Sequence, residues 1–162
     1  MWHRVLRTAI YLGFLLGTLP ETPLRAESGH DAWLRFARLD VPAAKMYETL
    51  PTTVVVLGHS VVLESAEKEL TRGIKQMLEK TVRTEPDLPQ ETSFILGTLK
   101  EVQAAIPEIR INHKIADDAF WLIKRQAHGF PRVIVTGSTD RGVLYGVFAF
   151  LSKIARNESI TR

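Results

Sequence analysis

Val135–Leu151 reads VTGSTDRGVLYGVFAFL, and the passage from strand to helix within it organises the rest of the chain. The β-branched run Arg132–Thr136 (RVIVT) suits a pleated strand. Gly137-Ser138-Thr139-Asp140 then supplies turn residues, and either Thr139 or Asp140 offers an oxygen to cap a helix running from about Arg141 to Ala155. Most of that helix is apolar, through Val143, Leu144, Tyr145, Val147, Phe148, Ala149, Phe150, Leu151 and Ile154. A surface helix leaves one side polar, so this pattern predicts a helix covered on two sides.

Towards the N-terminus, Ala119–Gln126 (AFWLIKRQ) predicts a strand joined to Arg132–Thr136 through Gly129 and Pro131 as a hairpin. Ser93–Thr98 (SFILGT) and Thr53–Leu57 (TVVVL, stopped by Gly58) predict two more. Between those two, Ser65 caps a predicted amphipathic helix. Its first turn carries Glu67 and Glu69, and its apolar positions Ala66, Leu70, Ile74, Met77 and Leu78 recur at three- and four-residue spacing. Asp31–Leu39 (DAWLRFARL) predicts a first strand, ended by Asp40 and Pro42. Five strands and two long helices in 162 residues, 45% hydrophobic and 24% charged, describe one small mixed α/β domain.

Residues 1–26 read as a signal peptide. Arg4 and Arg7 form the basic start, Thr8–Leu19 the apolar centre, and Pro20–Ala26 the polar end before a cut, leaving 27–162 as the mature domain. The apolar run is too short to span a bilayer, so stable membrane insertion is not expected after cleavage. A secreted or periplasmic location follows. The net charge of +3 does not indicate nucleic acid: removing Arg4, Arg7, Arg25 and Glu21 from the 21 basic and 18 acidic residues leaves +1, with both signs interleaved.

No stretch carries a complete catalytic centre. Gly58-His59-Ser60 begins like a nucleophile elbow, but Val62 stands where the second glycine belongs. His30, His59, His113 and His128 show no paired spacing and the chain has no cysteine, so neither a metal nor a cofactor is indicated. Adjacent Asp117 and Asp118 read as a solvated turn. The Gly137–Gly142 turn lacks the Lys-Ser/Thr of a phosphate loop, and Asp140 at its helix start repels an anion. Gly142 and Gly146 read instead as sites of close backbone approach. Trp33, Phe36, Phe120 and Trp121 suit core positions in alternating strands, with a sugar-stacking platform as the alternative.

His30–Arg38 (HDAWLRFAR), Phe120–Lys124 (FWLIK) and above all Val135–Leu151 resemble the N-terminal domain of family 67 α-glucuronidases, and more broadly the small domain before the barrel of β-hexosaminidases. The resemblance implies an α+β, two-layer domain: a mostly antiparallel five- or six-stranded sheet with two main helices on one face, preceding a (β/α)₈ barrel. In that family the barrel's carboxylates remove glucuronic acid from xylooligosaccharides by inversion. The chain ends at Arg162, where the family's barrel begins, so the barrel is expected outside these residues, and with it every catalytic residue and any contact with xylan oligosaccharides. The last helix then has an expected partner: one side on the sheet, the other on the barrel through Val143, Leu144, Val147, Phe148, Phe150 and Leu151. The alternatives are a free-standing carbohydrate-binding module, which needs Trp33 and Trp121 exposed together, and a protein-interaction module, which would dimerise through this helix.

Overall fold

A computed structural model describes residues 36–111 and 116–160. The expected signal peptide and the start of the first expected strand lie outside them. Among the described residues, nine elements follow one another. These are α1 (Val41–Lys45), β1 (Thr53–Leu57), α2 (Val61–Leu78), β2 (Arg83–Glu85), β3 (Ser93–Thr98), α3 (Leu99–Ala105), β4 (Phe120–Ala127), β5 (Phe130–Gly137) and α4 (Asp140–Ala155).

The strands form one five-stranded sheet in the order β2-β1-β3-β5-β4. The α+β class and the pair of long helices on one face hold. The strand directions differ from the expectation of a mostly antiparallel sheet: β1 runs parallel to β2 and β3, β3 runs parallel to β5, and only the β4–β5 hairpin is antiparallel. The reason lies in the connections. β1 returns to β2 through α2, a crossover that makes neighbouring strands parallel, whereas the two-residue turn after Ala127 reverses the chain. The interior strands accordingly present apolar side chains to both faces.

On one face, Val54, Phe94, Leu96, Val133 and Val135 meet α2 and α4 in the larger core. Phe94 and Phe150 make its aromatic contact, edge to face with ring centres 5.6 Å apart. On the other face, Val55, Ile95 and Ile134 meet Val102 of α3 together with Ile106 and Ile109. The two-layer expectation therefore gains a partial third layer. Its helix, not expected from the sequence, starts with Thr98-Leu99-Lys100-Glu101, a capping box in which the Thr98 side chain accepts from the Glu101 N–H and Glu101 accepts from the Thr98 N–H.

Two local expectations are corrected. α2 starts earlier than predicted: Ser60 is its cap, accepting from the Leu63 N–H at 3.1 Å, while Ser65 lies inside the helix and donates to the Val61 carbonyl. The described part of Asp31–Leu39, from Phe36 onward, is irregular chain. Phe36 and Leu39 still pack on the core, but the Leu39 N–H goes to the Met77 carbonyl at the end of α2, at 3.0 Å. A helix end leaves such carbonyls without an intrahelical donor, and the incoming segment serves one of them instead of joining the sheet.

Candidate functional site

The turn that joins β5 to α4 is closed by contacts from a distant segment. Thr139 caps α4, accepting from the Gly142 N–H at 3.1 Å. Its own hydroxyl donates to Asp118 Oδ1 at 2.7 Å, and Arg141 reaches the same carboxylate with Nε at 3.2 Å and Nη2 at 2.9 Å. Asp118 occupies the left-handed region at φ 59°, which aims its carboxylate back at the helix start. The Thr139 hydrogen bond, and after it the charge of Arg141, hold this carboxyl below its ordinary pKa. The carboxylate thus braces the helix cap through Thr139 and Arg141.

The glycines of the turn serve close approach. A Cβ on Gly142 would lie 2.6 Å from the Ala119 carbonyl oxygen, and one on Gly137 would lie 2.7 Å from the Gly142 carbonyl carbon. A Cβ on Gly146 would meet Val135 Cγ1 at 2.6 Å and Phe120 Cβ at 3.1 Å. The GSTDRG turn is thus a weld between β4, β5 and α4.

The other residues singled out from the sequence do not converge. Ser60 is a helix cap and His59 is an exposed neighbour. His128 sits in the hairpin turn, 3.5 Å from Glu108. His30, His113 and Trp33 lie outside the described residues. Among the described residues, no three His, Cys, Asp or Glu side chains are grouped to hold a metal ion. Phe36 packs on the core with the Arg72 guanidinium 5.9 Å from its ring centre. Phe120 and Trp121 are 37% and 39% exposed, but as successive residues of β4 they face opposite sides and form no single platform. A surface groove of about 290 Å³ between α1 and the end of α2 has the apolar side chains of Leu39, Tyr47 and Met77 in its wall. Three of its charged groups are already engaged: Arg38 pairs with Glu79, and Lys80 donates to the carbonyls of Glu48 and Leu50.

The helix expected to dock is covered more fully by its own domain than the sequence indicated. Val143, Val147, Phe150 and Leu151 are buried in the core between the sheet and α2, and α2 comes so close at Gly73 that a Cβ there would strike Leu151 at 2.7 Å. The second side of α4 is therefore α2. What faces outward is narrower: half-buried Leu144 and Phe148 with Tyr145, which is 47% exposed. Leu144 and Phe148 lie one turn apart with Tyr145 beside them, Leu144 still packed against the larger core, while Phe120 lies at Gly146 on the opposite flank of the helix.

Arg132 escaped the reading of the sequence altogether. It is buried at 1% exposure in β5, where Nη1 donates to the Glu91 carbonyl at 2.7 Å and to Ser93 Oγ at 2.5 Å, and Nη2 to the Pro89 carbonyl at 2.7 Å. The Glu91 carboxylate in turn accepts from Thr53 and pairs with Arg83. This network fastens the 86–92 loop to the start of three strands. Nothing in the run RVIVT distinguishes such an arginine from one at a solvated strand end.

The sequence pattern of Glycosyl hydrolase family 67 N-terminus matches residues 32–150, from ahead of the described segment into α4. The Alpha-glucuronidase of Hypocrea jecorina is 34% identical over 143 residues, 84% of this chain and 16% of that protein. Alpha-glucuronidase A of Emericella nidulans is 32% identical over 162 residues, 94% of this chain and 18% of its own length. Probable alpha-glucuronidase A of Aspergillus clavatus is 29% identical over 134 residues, 81% and 15% of the two chains. The chain thus spans less than a fifth of the length of these relatives.

Proposed function

This chain belongs to the family of glycosyl hydrolase family 67 N-terminal domains, and on that premise we propose that it is the non-catalytic supporting domain of an α-glucuronidase. The observation that carries the proposal is the outward pair Tyr145 and Phe148 on α4, with Leu144 at its edge against the core. It is apolar surface on a helix whose other sides are already committed to the sheet and α2. The partner is the catalytic (β/α)₈ barrel of the parent enzyme, a unit that by itself takes about 250 residues. The relatives are named alpha-glucuronidases, and the substrate class implied by the resemblance is the glucuronic acid side groups of xylan oligosaccharides, met through that barrel. The welded turn and the buried sheet would give the barrel a stiff base.

Incubation of the mature chain with aldouronic acids tests the division of labour. No glucuronic acid is expected; its release at a rate above background would end the proposal. Export through residues 1–26 is part of the same reading. N-terminal sequencing of the chain recovered outside producing cells should begin at Glu27, and retention of Met1 in an entirely cell-bound product would contradict it.

A further inference from the structure

The chain stays fastened after α4 ends. Arg156 closes the helix and Asn157 turns left-handed at φ 56°. The Asn157 N–H then donates to the Ile154 carbonyl at 3.0 Å and the Glu158 N–H to the Lys153 carbonyl at 2.9 Å, the paired bonds of a Schellman cap. The Glu158 carboxylate accepts from Arg156 Nε at 2.7 Å and lies 3.6 Å from Lys153 Nζ, while Arg156 Nη1 donates to Ser152 Oγ at 2.7 Å. All of these bonds are local to the helix end.

A further bond spans 111 residues of sequence. Tyr47, in the turn after α1 and only 2% exposed, donates its hydroxyl to the Glu158 carbonyl oxygen at 2.9 Å. Two residues later, Ile160 packs against the larger core. A helix cap has no need of either contact. Together they tie the outgoing segment to an element at the other end of the domain's sequence.

We infer that Arg156–Ile160 is a rigid strap, with Tyr47 as its positioning residue, that fixes the direction in which this segment leaves α4. Cap and strap hold the segment at both ends: the Schellman bonds fix where it starts, and Tyr47 with Ile160 fixes where it goes. The direction is set relative to the same helix that carries the outward apolar pair. The strap rests on its own bonds and stands whether or not that pair docks a barrel.

Amide hydrogen exchange on the whole chain, wild type against Tyr47→Phe, tests it. The variant keeps the buried ring and removes only the hydroxyl. Amides of residues 157–160 should exchange roughly five- to tenfold faster, the effect of losing one ordinary hydrogen bond, with those of α2 and β3 unchanged. Ile160→Ala leaves Tyr47 in place, frees the other end of the strap and should give the same local acceleration. Asn157→Gly suits the left-handed position better and should restore part of the protection in the Tyr47→Phe background. Unchanged exchange at residues 157–160 in both single variants would overturn the inference. So would equal acceleration across the core, which would make Tyr47 a packing residue only.

Discussion

Arg132 brings a positive charge to the edge of the core and meets it with three oxygen acceptors, those of Pro89, Glu91 and Ser93. Burial lowers its pKa, and the nearby charge of Glu91 opposes that shift. Arg132→Met keeps most of the side-chain length but strands those acceptors, so unfolding in urea should show a loss of roughly 2–4 kcal/mol. An unchanged midpoint would mean that the loop holds itself. Asp118 has a different test, because its carboxyl is held down first by Thr139 and then by Arg141. A depressed pKa in the folded state means the contribution is fully present above the ordinary aspartate value of 3.8 and is lost as pH falls through the lower native value. Carboxyl-carbon NMR should therefore place the Asp118 midpoint below 3.8, and Thr139→Val should move it upward. A midpoint indifferent to Thr139 would assign the shift to Arg141 instead. The cap was legible in the sequence, since a threonine before an apolar helix has a known use; its carboxylate partner was not, because it lies 21 residues away in the chain.

Among the elements, the longer ones with a local signal were found; α3 was missed despite its capping box, and β2, defined by its partner, was missed for want of any signal. The β4–β5 hairpin and α4 follow from β-branched runs, a turn and a cap, all within a few residues. β2 is three residues long with no apolar pattern, and only its bonds to β1 make it a strand. The runs Val54–Val56, Phe94–Leu96 and Val133–Val135 do not alternate with polar residues, and in retrospect that is the mark of strands buried on both faces in parallel pairing. Asp31–Leu39 has the composition of a strand, yet its described end finds a helix carbonyl before it finds a sheet edge. The GSTDRG turn makes a prediction at this scale. Gly142→Ala pushes a methyl group against the Ala119 carbonyl and should cost about 1–3 kcal/mol. Gly129→Ala, where a Cβ meets nothing within 4 Å and only the positive φ of 81° is strained, should cost about 1–2 kcal/mol and leave the β4–α4 contact intact. The two are separated by the NMR shifts of Phe120 and Thr139, which should move in Gly142→Ala alone.

For the whole molecule, the apolar circumference of α4 led to the expectation of an outside partner on its second side, where α2 of the same domain packs. Val143, Val147, Phe150 and Leu151 belong to the domain's own core, against which Leu144 also packs, and Tyr145 and Phe148 are the residues of α4 proposed to meet a partner. Periodicity alone could not make that division, because the approach of α2 at Gly73 is a tertiary fact. The most direct test replaces the matching part of the Hypocrea jecorina enzyme, 143 residues at 34% identity, with this domain. The chimera is predicted to release glucuronic acid from aldouronic acids, and Tyr145→Asp with Phe148→Asp is predicted to abolish that activity while the isolated domain still folds. An inactive chimera, or one that remains fully active with both aspartates in place, would contradict the docking role of α4.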